Sequence, residues 1–195
     1  MVRSPAVGRA RGGQSFLAIM DLHRLRAFWI TGLSGAGKST LADCLKVRLR
    51  KQGIHPVILD GDITRDLLVE PMGHDRASRL RVAFFNARLC RFLALQGHTV
   101  ICPTISLFHE VQAWNRKNIP GYVEIFLDAQ MDILRRRDPK RIYASYEHGE
   151  LCDVVGLDIP AEFPLSPDLR FMITSDTLTE QLVDQINQFI NGQVQ

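Results

Sequence analysis

WITGLSGAGKST, residues 29–40, passes from an apolar run into three closely spaced glycines and ends on a lysine and two hydroxyls. Residues 32–39 fit the pattern G-x-x-x-x-G-K-[ST]. Glycines let the main chain turn tightly, so successive N–H groups point inward at phosphate oxygens. A helix that follows adds its positive N-terminal end. The lysine reaches the β- and γ-phosphates, and the serine offers an oxygen to Mg²⁺. Gly32, Ser34, Gly35, Ala36, Gly37, Lys38, Ser39 and Thr40 are therefore the candidates for holding ATP, with Ser39 as a metal ligand.

The flanking sequence supplies the required strand and helix. Residues 27–31 form a short apolar run, expected as a buried strand, and residues 40–52 carry apolar positions among basic ones, expected as a helix. Further buried strands are expected at 56–59, 99–102, 122–127 and 169–173, with helices at 77–96, 108–118 and 131–137. Thr177 and Glu180 have the spacing of a capping box opening a last amphipathic helix. Strands alternating with helices mean βαβ units and a mostly parallel sheet. The fold class is thus α/β, a mostly parallel sheet flanked by helices around a P-loop, as in P-loop NTPases, spanning residues 27–195. Residues 138–167 are polar, contain Gly and Pro, and are long for a loop, which suits a lid over a site. Residues 1–26 are rich in arginine and carry one acid, and read as a flexible tail, with a transit segment as the alternative.

Bulk properties narrow the function. The 195 residues suffice for one core, and 46% hydrophobic with 23% charged is ordinary for a globular chain. A net charge of +3 is too small to argue for nucleic acid. No apolar run approaches the roughly 20 residues of a membrane-spanning helix, so neither nucleic acid nor membrane is an expected partner. The four cysteines lie far apart, which fits idle thiols in the cytoplasm better than a disulfide or zinc site. The histidines show no ligand spacing. The absence of an NKxD-like guanine motif argues against a GTPase, and the short chain favours a small-molecule kinase.

In a parallel sheet, ligands sit beyond the carboxyl ends of the strands. Asp60 and Asp62 follow the second strand there. One can orient Mg²⁺ or its water, and the other can accept a proton from a substrate hydroxyl. Arg76 and Arg79 can share a helix face beginning near the site and pair with an anionic substrate. Trp114 or Phe108 is placed to stack on an acceptor base, the alternative for Trp114 being packing against the sheet. A nucleotide-binding regulator without turnover is the competing class, and the retention of both aspartates argues against it.

Six stretches together resemble the adenylylsulfate kinase family: GLSGAGKSTLAD (32–43), LDGDITR (59–65), ISLF (105–108), RDPKRIY (137–143), VVGLDIP (154–160) and PDL (167–169). The resemblance covers about residues 27–174. It implies ATP with Mg²⁺ as phosphoryl donor and the ribose 3′-hydroxyl of adenosine 5′-phosphosulfate as acceptor. It implies Asp62 as base, with Lys38 and Asp60 beside it and Asp60 toward the metal. Arg65 is implied at the substrate's phosphate region, Arg137 near the ATP adenine, and Ser106, Lys140 and Val155 around the acceptor. It further implies a mobile lid over residues 138–160 and a homodimer. The chain departs from the family pattern in places. GHDRASRLRVA (73–83) lacks the usual Glu-Asn pair, and Val154 with Val155 stands where an aromatic residue stacks on the substrate base. These departures also resemble a side branch that includes a cytidine diphosphoramidate kinase, whose acceptor is again a 3′-hydroxyl but on a cytidine.

Overall fold

The computed structural model describes residues 27–68 and 70–192, so the expectation for residues 1–26 lies outside the described residues. Five parallel strands make one sheet in the order β2-β3-β1-β4-β5. They are β1 (Ala27–Thr31), β2 (Val57–Ile58), β3 (Val100–Pro103), β4 (Tyr122–Ala129) and β5 (Leu169–Ile173). The helices are α1 (Lys38–Lys51), α2 (Gly61–Arg65), α3 (Arg76–Leu95), α4 (His109–Asn118), α5 (Met131–Arg137), α6 (Ile142–Glu147) and α7 (Thr179–Gly192).

β1 is central and all five of its residues are buried, as an apolar run covered on both faces must be. Phe28 and Ile30 face a core shared with Leu41, Leu45 and Leu49 of α1 and Ile186 and Ile190 of α7. Ala27 and Trp29 face a second core with Ala87 and Cys90 of α3 and Val111 of α4. The sheet is thus sandwiched between two helical layers, and β1 lies at the point where the strand order reverses.

Local chemistry starts the helices near the site. Asp60 caps α2 by accepting from the N–H of Asp62 at 2.9 Å, and Asp75 caps α3 by accepting from Ser78 at 2.9 Å. Arg48, Arg50 and Lys51 close α1 against its negative end.

Three sequence expectations need correction. β2 is only two residues long and half-buried, because it is an edge strand. The Thr177 capping box does not form. Its hydroxyl accepts instead from the N–H of Thr174 at 2.8 Å, closing the turn after β5, and α7 begins at Thr179. Residues 138–160, expected as part of a long loop suited to a lid, hold α6 and a bridge between Val155 and Ile159. The inner side of this segment belongs to the main core: Tyr143 is 1% exposed, and Val154, Val155 and Ile159 are each 5% exposed.

Candidate active site

A cavity of about 680 Å³ opens beyond the carboxyl ends of β1, β2 and β3, where the strand order predicts it. The turn between β1 and α1 forms its floor. Gly32 has φ 148°, and a Cβ there would sit 2.6 Å from the carbonyl oxygen of Leu127, so only glycine lets the loop pass β4. Gly37, at φ 96°, turns the chain into α1. Ser34, Gly35, Gly37, Lys38, Ser39 and Thr40 line the cavity, whereas Ala36 is buried behind them.

Lys38 donates to the carbonyl of Leu33 at 2.8 Å. Burial of its ammonium lowers the pKa to about 8, against the attraction of Asp62 and Asp60. A group held this way gains most from a nearby polyanion. The Ser39 hydroxyl donates to Asp60 at 3.0 Å. These two hard oxygen donors suit Mg²⁺, which takes few protein ligands and completes its shell with water and phosphate oxygens.

Asp62 lies across the cavity and is paired with Lys140, which comes from the segment over the site. Arg65 donates to the carbonyls of Met72 and Gly73 at 2.9 and 2.8 Å. Arg79 donates to the carbonyls of His74 and Asp153, the latter at 2.7 Å. Neither guanidinium bonds a carboxylate among the described residues, and both line the cavity. Burial, then the neighbouring Arg65, lowers the Arg79 pKa. His74 beside them is also lowered, by burial and then by Arg65 and Arg79, so it adds no charge at neutral pH. This corner is built for an anion.

The wall opposite is Ser106, Phe108, Val82, Ala83, Val154 and Val155. Ser106 is 6% exposed, has φ 23°, and its hydroxyl finds no partner among the described residues. A buried, unpaired hydroxyl on a strained residue at a cavity wall keeps Ser106 a candidate. A second hollow of about 210 Å³ shares Gly37, Thr40 and Arg137 with the cavity and runs toward β5. Arg137 donates there to the carbonyl of Thr174 at 2.8 Å.

The structure thus gathers at one cavity every candidate except Gly32, Ala36, Arg76 and Trp114. Arg76 turns away, with its guanidinium 5.3 Å over the Phe108 ring and paired to Glu162 at 2.8 Å. Trp114 is outside the cavity wall and packs edge-on against Phe84 of α3 at 6.3 Å, so packing is its role. Sequence reasoning missed Tyr143, whose hydroxyl donates to the carbonyl of Ser34 at 2.9 Å and ties α6 to the phosphate loop. The spacing of Ile142, Tyr143 and Tyr146 was the available signal. It missed Glu162 too, for which no local signal exists.

A central parallel strand leading into a glycine-rich phosphate loop, faced by two carboxylates from the next strand, defines a P-loop kinase. The sequence profile of the adenylylsulphate kinase family matches residues 25–172, and the chain belongs to that family, whose enzymes transfer a phosphoryl group to a hydroxyl. It is 34% identical over 164 residues to an adenylyl-sulfate kinase of Marinobacter nauticus, covering 83% of this chain and 82% of the relative. It is 38% identical over 136 residues to the cytidine diphosphoramidate kinase of Campylobacter jejuni, covering 70% and 79%. Among solved structures, the Mycobacterium tuberculosis APS kinase CysC in complex with AMPPNP and APS superposes with a TM-score of 0.78 at 34% identity, covering 86% of this chain and 98% of that one.

Proposed function

We propose that this chain uses ATP to phosphorylate the ribose 3′-hydroxyl of adenosine 5′-phosphosulfate, giving 3′-phosphoadenosine 5′-phosphosulfate. One observation carries the proposal. The phosphate loop with Lys38 and the carboxylate of Asp62 face each other across a cavity that also holds two arginines without carboxylate partners. That is the arrangement for bringing a triphosphate and an anionic hydroxyl acceptor together.

In this scheme residues 32–40 cradle the ATP phosphates, and Arg137 supports the base in the adjoining hollow. Ser39 and Asp60 would hold Mg²⁺, which when bound neutralises phosphate charge. Asp62 accepts the proton of the 3′-hydroxyl. Lys38 stabilises charge on the moving phosphoryl group, and holding the partners in line does most of the work. Arg65 and Arg79 take the acceptor's anionic tail, with Ser106, Val155 and Lys140 completing its surroundings and Arg76 behind the wall. The segment over residues 138–160 excludes water. The four unpaired cysteines and the demand for ATP support a cytoplasmic location. The family resemblance supports a homodimer, which light scattering at twice the chain mass tests.

A second acceptor is favoured by one feature. The aliphatic pair Val154 and Val155 forms the wall where the resemblance implies an aromatic residue, and loss of a stacking partner removes about 1–3 kcal/mol of base contact. That loosens the hold on adenine and suits cytidine diphosphoramidate. The test is one paired assay with ATP, Mg²⁺ and either nucleotide, with products identified by mass spectrometry. A phosphoryl gain on the adenosine compound supports the main proposal. A gain only on the cytidine compound replaces its acceptor. No gain on either overturns it in favour of a nucleotide-binding protein without turnover.

A further inference from the structure

The segment that crosses the cavity continues into residues 161–163, and one residue there bonds to three separate parts of the molecule. Glu162 accepts through Oε1 from Nη2 of Arg76 at 2.8 Å and through Oε2 from the N–H of His109 at 2.7 Å. Its own N–H donates to the carbonyl of Leu107 at 3.1 Å, and its carbonyl accepts from Nε2 of Gln112 at 2.9 Å.

These four bonds meet at the acceptor wall. His109 opens α4, and the residue before it, Phe108, has no side chain able to cap a helix. Glu162 supplies the missing acceptor from 53 residues away. A carboxylate at that position satisfies an orphan N–H and complements the positive helix end. The N–H of His109 and the Arg76 guanidinium hold the carboxyl below its ordinary range, so it is charged at neutral pH. Arg76 is the first residue of α3, and its guanidinium stacks on the face of Phe108. The starts of α3 and α4 therefore converge on the Glu162 carboxylate, and the wall between them is tied to the same residue through its main chain at Leu107 and through Arg76 stacked on Phe108. All four bonds lie on the side of Arg79 and Ser106, whereas the phosphate loop and Arg137 are reached from other elements.

We infer that Glu162 is a positioning residue for the acceptor: it fixes the Ser106–Phe108 wall against the start of α3, so acceptor affinity runs through it and donor affinity does not. The inference rests on the two-substrate proposal above. It adds a residue that touches neither substrate.

The full chain is compared with Glu162→Ala and Glu162→Gln. Steady-state kinetics use ATP and whichever of the two nucleotides the wild type phosphorylates, and hydrogen exchange is measured without ligand. Glu162→Ala raises the acceptor KM about tenfold and leaves the ATP KM within about twofold. Glu162→Gln keeps an oxygen for the N–H of His109 and recovers most of that loss. Amides in residues 109–112 exchange about tenfold faster in the Ala variant, and those in residues 32–39 do not change. Both KM values rising together, or a lower melting temperature with neither KM changed, overturns the inference. If the wild type phosphorylates neither nucleotide, the proposed function has failed. Exchange then decides Glu162 alone, and unchanged protection at residues 109–112 overturns it. If the Ala variant does not fold, Glu162→Met, which keeps the volume but has no oxygen to accept with, carries the comparison, and a ratio of acceptor KM to ATP KM equal to wild type overturns the inference.

Discussion

The hydroxyl of Tyr143 donates to the carbonyl of Ser34, joining the short helix α6 to the loop that faces the phosphates. Burial pushes the Tyr143 pKa up to about 12, so the hydroxyl remains a donor across the working pH range. The ring is 1% exposed within the main core. Tyr143→Phe should cost about 1 kcal/mol of stability through the lost bond, and Tyr143→Ala about 3–5 kcal/mol through the void. Urea unfolding of the two variants checks this, and a Phe variant as stable as wild type would mean the hydroxyl contributes nothing.

Asp62, paired with Lys140, is the carboxylate proposed to take the proton of the 3′-hydroxyl. Asp62→Asn should lower turnover about 10²–10⁴-fold with ATP affinity nearly unchanged. Titration calorimetry with ATP beside single-turnover kinetics separates the two. A loss of ATP binding would assign Asp62 to the donor instead.

Lys38 gives a pH signature with a definite sign. Its folded-state pKa of about 8 lies below the ordinary 10.5. Between those values the unfolded chain binds more protons, so this group makes the ligand-free protein more stable as pH rises from about 8 to 10.5. Subtracting the stability profile of Lys38→Met from that of wild type should leave that upward slope. A flat difference would show that burial does not govern the lysine. ATP should draw a proton onto Lys38 near pH 8–9, seen as heat that depends on the buffer.

Gly32→Ala should be severe for a reason unrelated to chemistry. The added Cβ meets the carbonyl of Leu127 at 2.6 Å, on a residue already at φ 148°. A loss of about 2 kcal/mol or more is expected in thermal unfolding. A variant with wild-type stability would show that the loop can move away from β4.

The sheet and phosphate loop were legible because their signals are local. Residues 29–40 carry strand, turn and helix start in one stretch, and the apolar runs at β1, β3, β4 and β5 are where the chain places strands. Asp60 and Asp62 were legible from their place after a strand. What escaped depends on partners far away in sequence. Arg76 and Arg79 share a helix face, yet one stacks on Phe108 and the other enters the cavity, a choice set by Glu162 and Asp153. The Thr177 pattern was correct as a pattern, but its hydroxyl was taken by Thr174. Trp114 looked available for a base only until Phe84 was in place beside it.

The strand order places β1 between two halves of different provenance. Asp62, Arg65, Arg79 and Ser106 hang from the β2 and β3 side, whereas Arg137 and Thr174 hang from β4 and β5. On the proposed reading, the residues before α4 that face the acceptor and the hollow for the donor's base are written in separate stretches of chain, meeting at the phosphate loop and beneath the segment across it. On that reading, a chimera that retargets the acceptor must exchange residues 61–118 together with residues 138–162, leaving the phosphate loop, Asp60 and Arg137 in place.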